Sequence, residues 1–140
     1  MKKWLLGSTA LALGLLALLA DGPAGAADAT TPTIDAIMKK VNGKNGLHRK
    51  GLPDALKATP VDWANVQKQT KEYADLAGAL GKNDPPKGDK ASWEKLTKSY
   101  ADSAKELFTA AEKKDKDTIT SVQGKIGRTC MNCHKAHREM

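Results

Sequence analysis

Five residues near the end of the chain constrain its fold more than any other feature: Cys130-Met131-Asn132-Cys133-His134. They include both cysteines of the protein. On a helix, Cys130, Cys133 and His134 occupy positions i, i+3 and i+4, so the two thiols and the imidazole share one face. This spacing is typical of covalent haem attachment, in which the thiols bond to the cofactor and the adjoining histidine binds the iron. The chain is therefore expected to enclose a large flat ligand against this helix face.

A bare pair of cysteines in this spacing also occurs in zinc sites, dithiol oxidoreductases and disulfides. A zinc ribbon needs a second ligand pair, but the other histidines are His48 and His137 and there is no further cysteine. A dithiol oxidoreductase carries its motif after a strand, within a βαβ pattern that this sequence lacks. A disulfide across so short a loop would constrain the unfolded chain little. We therefore expect one covalently attached haem c, with His134 as a metal ligand.

The first 26 residues have the order of a secretory signal peptide. Two lysines precede an uncharged, mostly apolar run of 17 residues from Trp4 to Ala20, and Ala24-Gly25-Ala26 fits the small-residue cleavage rule. A membrane anchor is the alternative, because 17 residues approach the length that spans a bilayer. We expect cleavage after Ala26, which leaves residues 27–140 as one domain with no stable membrane span.

The formal net charge of the chain is +7, and it becomes +6 when the predicted signal peptide, with two lysines and one aspartate, is removed. The remaining basic residues are dispersed along the sequence rather than clustered, which argues against nucleic acid as a partner. Excess positive charge favours encounter with an acidic surface. We therefore expect redox partner proteins with an acidic docking face.

The spacing of apolar residues predicts four helices and no strands. The first predicted helix begins near Pro32 and ends at the turn-forming run Asn42 to Gly46. The second begins with a cap at Thr59, the third with a cap at Asp89 or Ser92, and the fourth follows the charged turn 113–117 and carries the cysteine motif. Short connections between most of these segments predict an antiparallel four-helix bundle, with residues 43–58 as one long connection that can pack onto the bundle as a lid.

Aromatic residues make up 4% of the chain, so the protein part of the core is expected to be thin. A buried porphyrin would complete it, because several helices can pack against a large apolar ring. We therefore predict that the protein without haem is partly unfolded.

A single C-x-x-C-H motif near the C-terminus, on the last of four helices of an exported chain, resembles the class II c-type cytochromes. These comprise cytochrome c′ and its low-spin relatives of the cytochrome c-556 kind. The resemblance is specific at Cys130 to Arg138 and around Met38, and it implies an all-α bundle, a covalent haem, a bacterial periplasmic location and a monomer or homodimer. It also implies that Arg138, which matches a basic residue of the family, contributes to haem binding. His137 stands where the family usually has an aromatic residue.

The second axial ligand separates the functions within this family. In the low-spin members a methionine on the first helix binds the iron, whereas in cytochrome c′ an apolar residue there leaves the iron open to nitric oxide or carbon monoxide. By this resemblance, Met38 occupies the position of the methionine that binds the iron. A methionine on an apolar stripe is also commonly an ordinary core residue. His48 is a rival ligand from a loop.

From these features we expect a periplasmic carrier of single electrons with a low-spin haem ligated by His134 and Met38, and not an enzyme. A five-coordinate protein that binds nitric oxide or carbon monoxide is the alternative.

Overall fold

The structure is a computed structural model that describes residues 31–138, so the predicted signal peptide lies outside the described residues. Within this range the chain is all-α and contains no strand. The helical elements, in chain order, are α1 (Ile34–Asn42), a π-helical segment (Leu47–Gly51), α2 (Leu52–Lys57), α3 (Trp63–Leu80), α4 (Lys90–Glu112) and α5 (Lys116–His137).

Side chains cap the first turn of each bundle helix. The Asp89 carboxylate accepts a hydrogen bond from the Ser92 backbone N–H at 2.7 Å, so Asp89 is the cap of α4. For α3 the prediction of a cap at Thr59 is wrong by three residues, because the Asp62 carboxylate accepts from the Asn65 backbone N–H at 3.1 Å. An aspartate is the stronger cap, since its charge also complements the helix dipole.

The predicted four-helix bundle is confirmed, with α1, α3, α4 and α5 as its members. The closest packing joins α3 to α4 and α4 to α5, while α1 and α2 lie against α3. The loop 81–89 connects α3 to α4 and the short turn 113–115 connects α4 to α5, which makes these neighbours antiparallel. The largest fully buried side chains are Tyr73, Ile37, Leu52, Leu107, Ile119, Ile126, Val41, Val66 and Thr70.

Residues 43–58, predicted as a connection, instead form the π-helical segment and α2. The chain turns sharply before them at Gly46, where a Cβ atom would lie 2.4 Å from the Val41 carbonyl oxygen. Leu47, Leu52 and Leu56 are all buried, so the connection packs into the bundle as expected for a lid.

Among residues 31–138 we find no helix with the length and apolar character needed to cross a bilayer.

Candidate haem site

A cavity of about 540 Å³ opens at one end of the bundle, between α1, the first half of α4 and the last half of α5. Its volume lies within the usual range for cofactor sites. All five residues that the sequence predicts for the site line this cavity: Met38, Cys130, Cys133, His134 and Arg138. The cavity therefore joins side chains that are almost a hundred residues apart in the chain.

The face of α5 that carries the cysteine motif follows its buried stripe. Ile119, Val122 and Ile126 are buried, and one turn further on Cys130 takes the same face, half-buried and packed against the core. Both cysteines are free thiols, and the Cys130 thiol donates to the Ile126 carbonyl oxygen at 3.2 Å. Burial raises the pKa of both thiols, and for Cys133 the neighbouring Cys130 adds to the effect. The helix thus presents two protonated thiols and the His134 imidazole to one cavity.

Met38 lies on α1 at the opposite wall. Ile37 and Val41, on the adjoining face of α1, are fully buried and fix the rotation of this helix. The Asn42 side-chain amide donates to the Met38 sulfur, with 3.4 Å between Nδ2 and Sδ. Sulfur is a weak acceptor, so this contact orients the thioether more than it stabilises the fold.

The short helix α1 is attached to its neighbours at both ends. The Asn83 amide, in the loop after α3, donates to the Pro32 carbonyl oxygen at 3.2 Å, and an ion pair at 3.1 Å joins Lys40 to Glu72 of α3. The ion pair is exposed and contributes little, but the two contacts act with the buried face of α1. Together they place Met38 at the cavity wall.

His137 stabilises the end of α5 and is almost fully buried. Its Nδ1 donates to the Lys87 carbonyl oxygen at 2.8 Å, and the Ser92 hydroxyl lies 3.2 Å from Nε2. The ring meets Trp93 edge-on, with 5.4 Å between centroids. The two ring nitrogens of His137 therefore tie the loop before α4 and the first turn of α4 to the helix that carries the cysteine motif.

Gly88 makes this contact possible. Its φ of +83° lies in the left-handed region, and a Cβ atom would lie 2.7 Å from the Ala136 carbonyl oxygen and 2.9 Å from His137 Nδ1. Arg138 follows directly after the helix, exposed at the edge of the cavity.

His48, the rival ligand from the sequence, does not line the cavity. It is half-buried in the π-helical segment, and its Nδ1 lies 3.2 Å from the Tyr73 hydroxyl. Burial, followed by the charge of Arg49, lowers the pKa of His48. Tyr73 separates this imidazole from the cavity, so the geometry does not favour His48 as an axial ligand.

Several cavity residues were not recognised from the sequence. The apolar stripe of α4 predicts a buried face that includes Trp93, Leu96 and Tyr100; Trp93 is buried as expected, and all three also line the cavity. Their spacing of three and seven residues identifies one helix face, and this pattern is the same whether the face meets protein or cofactor. Asn42 was read as part of a helix stop, although its position four residues after Met38 could have identified it as a neighbour of the thioether.

The residues at the cavity fit a covalent haem. Two thiols, one imidazole and one thioether converge on it, while the apolar side chains of Ile34, Leu80 and Leu96 supply contacts for a porphyrin ring. The Tyr100 hydroxyl contributes a neutral polar group, because burial raises its pKa to about 12. No strong charge is buried among these groups, as suits a ligand that is apolar except at its propionates.

Comparison with protein families supports this assignment. Residues 88–138, which comprise α4, α5 and the last residues before them, match the family model described as Cytochrome C'. The match confirms the resemblance to the class II c-type cytochromes over the segment that contains the motif, and proteins of this family carry a covalently attached haem c. The match begins at residue 88, well after α1, and therefore does not include Met38. Searches of curated proteins and of solved structures gave no significant match.

Proposed function

We propose that this haem protein is a periplasmic electron carrier whose iron is held by His134 and Met38. The observation that carries the proposal is the shared cavity: the Met38 thioether lies in its wall together with the two thiols and the imidazole. Members of the family are typically periplasmic, and the sequence of residues 1–26 agrees with export. We expect the protein to act as a monomer or homodimer.

Each of these side chains has a separate role in holding the haem. Haem supplies one-electron redox chemistry when bound. Cys130 and Cys133 hold the cofactor by thioether bonds, and His134 supplies a nitrogen ligand from α5. Met38 supplies a sulfur ligand, which raises the potential relative to a second histidine. Because α1 and α5 are both anchored in the bundle, the two ligands would hold iron in either oxidation state with little rearrangement.

The absorption spectrum of the ferric protein tests Met38 directly. We expect low-spin bands in the native protein and a change to high spin in Met38→Ala. Met131→Ala is the matched control, because Met131 lies within the same motif but is exposed to 57%. Low-spin bands that survive in Met38→Ala would exclude Met38 as the ligand.

The second candidate is a gas-binding protein with an open iron site, which the match to the family model described as Cytochrome C' supports equally. In that case Met38 would remain hydrogen-bonded to Asn42 as a wall residue. A high-spin ferric spectrum in the native protein, with rapid binding of carbon monoxide after reduction, would establish this function instead.

We infer that redox partners dock at the exposed edge of α5 around the motif. Arg128 and Lys135 are exposed there on either side of Met131, whereas Lys125 forms an ion pair with Glu106 at 3.5 Å. An acidic partner surface would be attracted by the two basic residues, while Met131 would contribute an apolar contact. Electron-transfer rates with such a partner should fall as salt rises, and less steeply in Arg128→Gln.

A further inference from the structure

A chain of hydrogen bonds connects the π-helical segment to the haem cavity. His48 Nδ1 lies 3.2 Å from the Tyr73 hydroxyl, and the Tyr100 hydroxyl donates to the Tyr73 hydroxyl at 3.2 Å. The rings are also in contact, with 6.0 Å between the centroids of His48 and Tyr73 and 5.9 Å between those of the two tyrosines. Tyr73 is fully buried, and Tyr100 lines the cavity. A polar connection thus runs through the core from the imidazole to the haem site.

The fold does not require these polar groups. Phenylalanine in place of either tyrosine would fill nearly the same volume and would avoid burying a hydroxyl, which costs free energy unless its partners are satisfied. Electron transfer by His134 and Met38 does not use the chain either. The residues therefore call for a separate explanation.

The direction of the hydrogen bonds fixes the proton positions. Since Tyr100 donates to Tyr73, the single hydroxyl proton of Tyr73 is directed to His48 Nδ1. Neutral His48 thus accepts at Nδ1 and carries its proton on Nε2, on the side of Gly127 in α5. If Nδ1 gains a proton, it must donate to Tyr73, and Tyr73 must then donate to Tyr100. The Tyr100 hydroxyl proton is released from Tyr73 and turns toward the cavity.

We propose that His48 is a proton-binding site coupled to the oxidation state of the haem. When one electron from a redox partner enters the protein, the proton affinity of His48 Nδ1 rises and protons are taken up there from solvent, to be released again on oxidation. The hydroxyls of Tyr73 and Tyr100 reorient, so that the Tyr100 hydroxyl proton turns toward the cavity wall, and neither tyrosine loses its proton. The proposal rests on the proposed electron transfer, but it does not require Met38 to be the ligand.

Among the groups that face one another around His48, the imidazole is the one whose charge varies with pH. Arg49 on the same segment is a charged neighbour that lowers the pKa of His48, and Tyr73 from α3 stays protonated because burial raises its pKa. From α5 the neighbours are Gly127 and Gln123, whose amide lies 3.5 Å from the His48 carbonyl oxygen, and neither titrates. The charge that varies with pH is therefore that of the imidazole.

The expected pH dependence follows from charge. An added electron makes the haem more negative and stabilises a positive imidazole, so the pKa of His48 is higher in the ferrous protein than in the ferric protein. Between these two pKa values reduction takes up a proton, and the reduction potential falls as pH rises. At pH values below or above that interval, His48 contributes no pH dependence to the reduction potential.

Reduction potentials measured between pH 5 and 8 test the coupling. We expect His48→Gln to remove the part of the pH dependence of the reduction potential that is due to this site. Only the contribution of the haem propionates should remain. Tyr73→Phe should reduce the slope while keeping the imidazole in place. Thr70→Val is the control, since Thr70 is fully buried on the same helix but its hydroxyl bonds only to the helix backbone. A slope that is the same in native protein and His48→Gln would overturn the proposal.

Proton NMR titration of His48 in native protein provides a measurement that needs no variant. We expect its proton affinity to be at least threefold higher in the ferrous state than in the ferric state. A tenfold difference would correspond to about 59 mV in the potential. Equal affinities in the two states would refute the coupling even if the spectrum establishes Met38 as the ligand. Unequal affinities would support it even if Met38 proves not to be the ligand.

Discussion

The two ends of the bundle differ in what completes their packing. At the closed end, the last half of α4 and the first half of α5 bury Leu107, Ala111, Ile119 and Val122. At the open end, the first half of α4 and the last half of α5 present half-buried side chains to a cavity of about 540 Å³. Side chains alone fill the first core, whereas the second requires a ligand. The same helices therefore serve as a folding unit at one end and as a cofactor site at the other.

Removal of the haem should have the largest effect, and it should be confined to the open end. In the variant with both Cys130→Ala and Cys133→Ala the cofactor cannot be attached, and the cavity walls lose the surface against which they pack. We expect fast hydrogen exchange in α1 and in the last turns of α5, with protection retained around Leu107. Amide exchange read by mass spectrometry checks this pattern. Uniform protection, with a cooperative transition at high temperature, would contradict both this expectation and the predicted partial unfolding.

Two leucines on α4 allow a direct comparison of the ends. Leu107 is fully buried at the closed end, so Leu107→Ala should lower the free energy of unfolding of the haem protein by about 2–5 kcal/mol. Leu96 is half-buried and lines the cavity, so Leu96→Ala enlarges an existing space and should cost less, about 1 kcal/mol. Denaturant titration of both variants measures the difference. Equal losses would mean that the open end is packed as tightly as the closed one.

Some parts of this comparison could be predicted from the sequence. The four bundle helices and the face of α5 follow from apolar periodicity and turn residues, which are local signals. The division between core and cavity could not be predicted, because Tyr100 and Leu107 belong to similar stripes and differ only in what lies opposite them. That difference is set by tertiary packing.

The segment after α1 was harder to predict for a related reason. Gly43, Gly46 and Gly51 indicate a loop when read locally, and residues 47–51 become helical only because Leu47 and Leu52 are buried against the bundle. The tyrosine chain was also missed, since each tyrosine fits an apolar stripe and its hydroxyl partner lies on another helix. Hydrogen bonds between distant residues leave no periodic signal.

Alanine substitutions at Gly88 and Gly78 test whether the loop before α4 stabilises the open end of the bundle. In Gly88→Ala the new Cβ would meet the Ala136 carbonyl oxygen and the His137 ring, and the φ of +83° disfavours any L side chain. We expect a loss of about 1–3 kcal/mol, because the loop must withdraw from α5 and weaken the His137 hydrogen bonds.

Gly78→Ala is the matched control, since nothing lies within 4 Å of a Cβ atom there and the residue is exposed on α3. Alanine in a helix interior should stabilise the protein by about 0.5–1 kcal/mol, the opposite sign. Thermal unfolding of the two variants measures both changes. If Gly88→Ala proved as harmless as Gly78→Ala, the contact between the loop and His137 would not support the open end, and the covalently attached haem alone would hold the end of α5 in place.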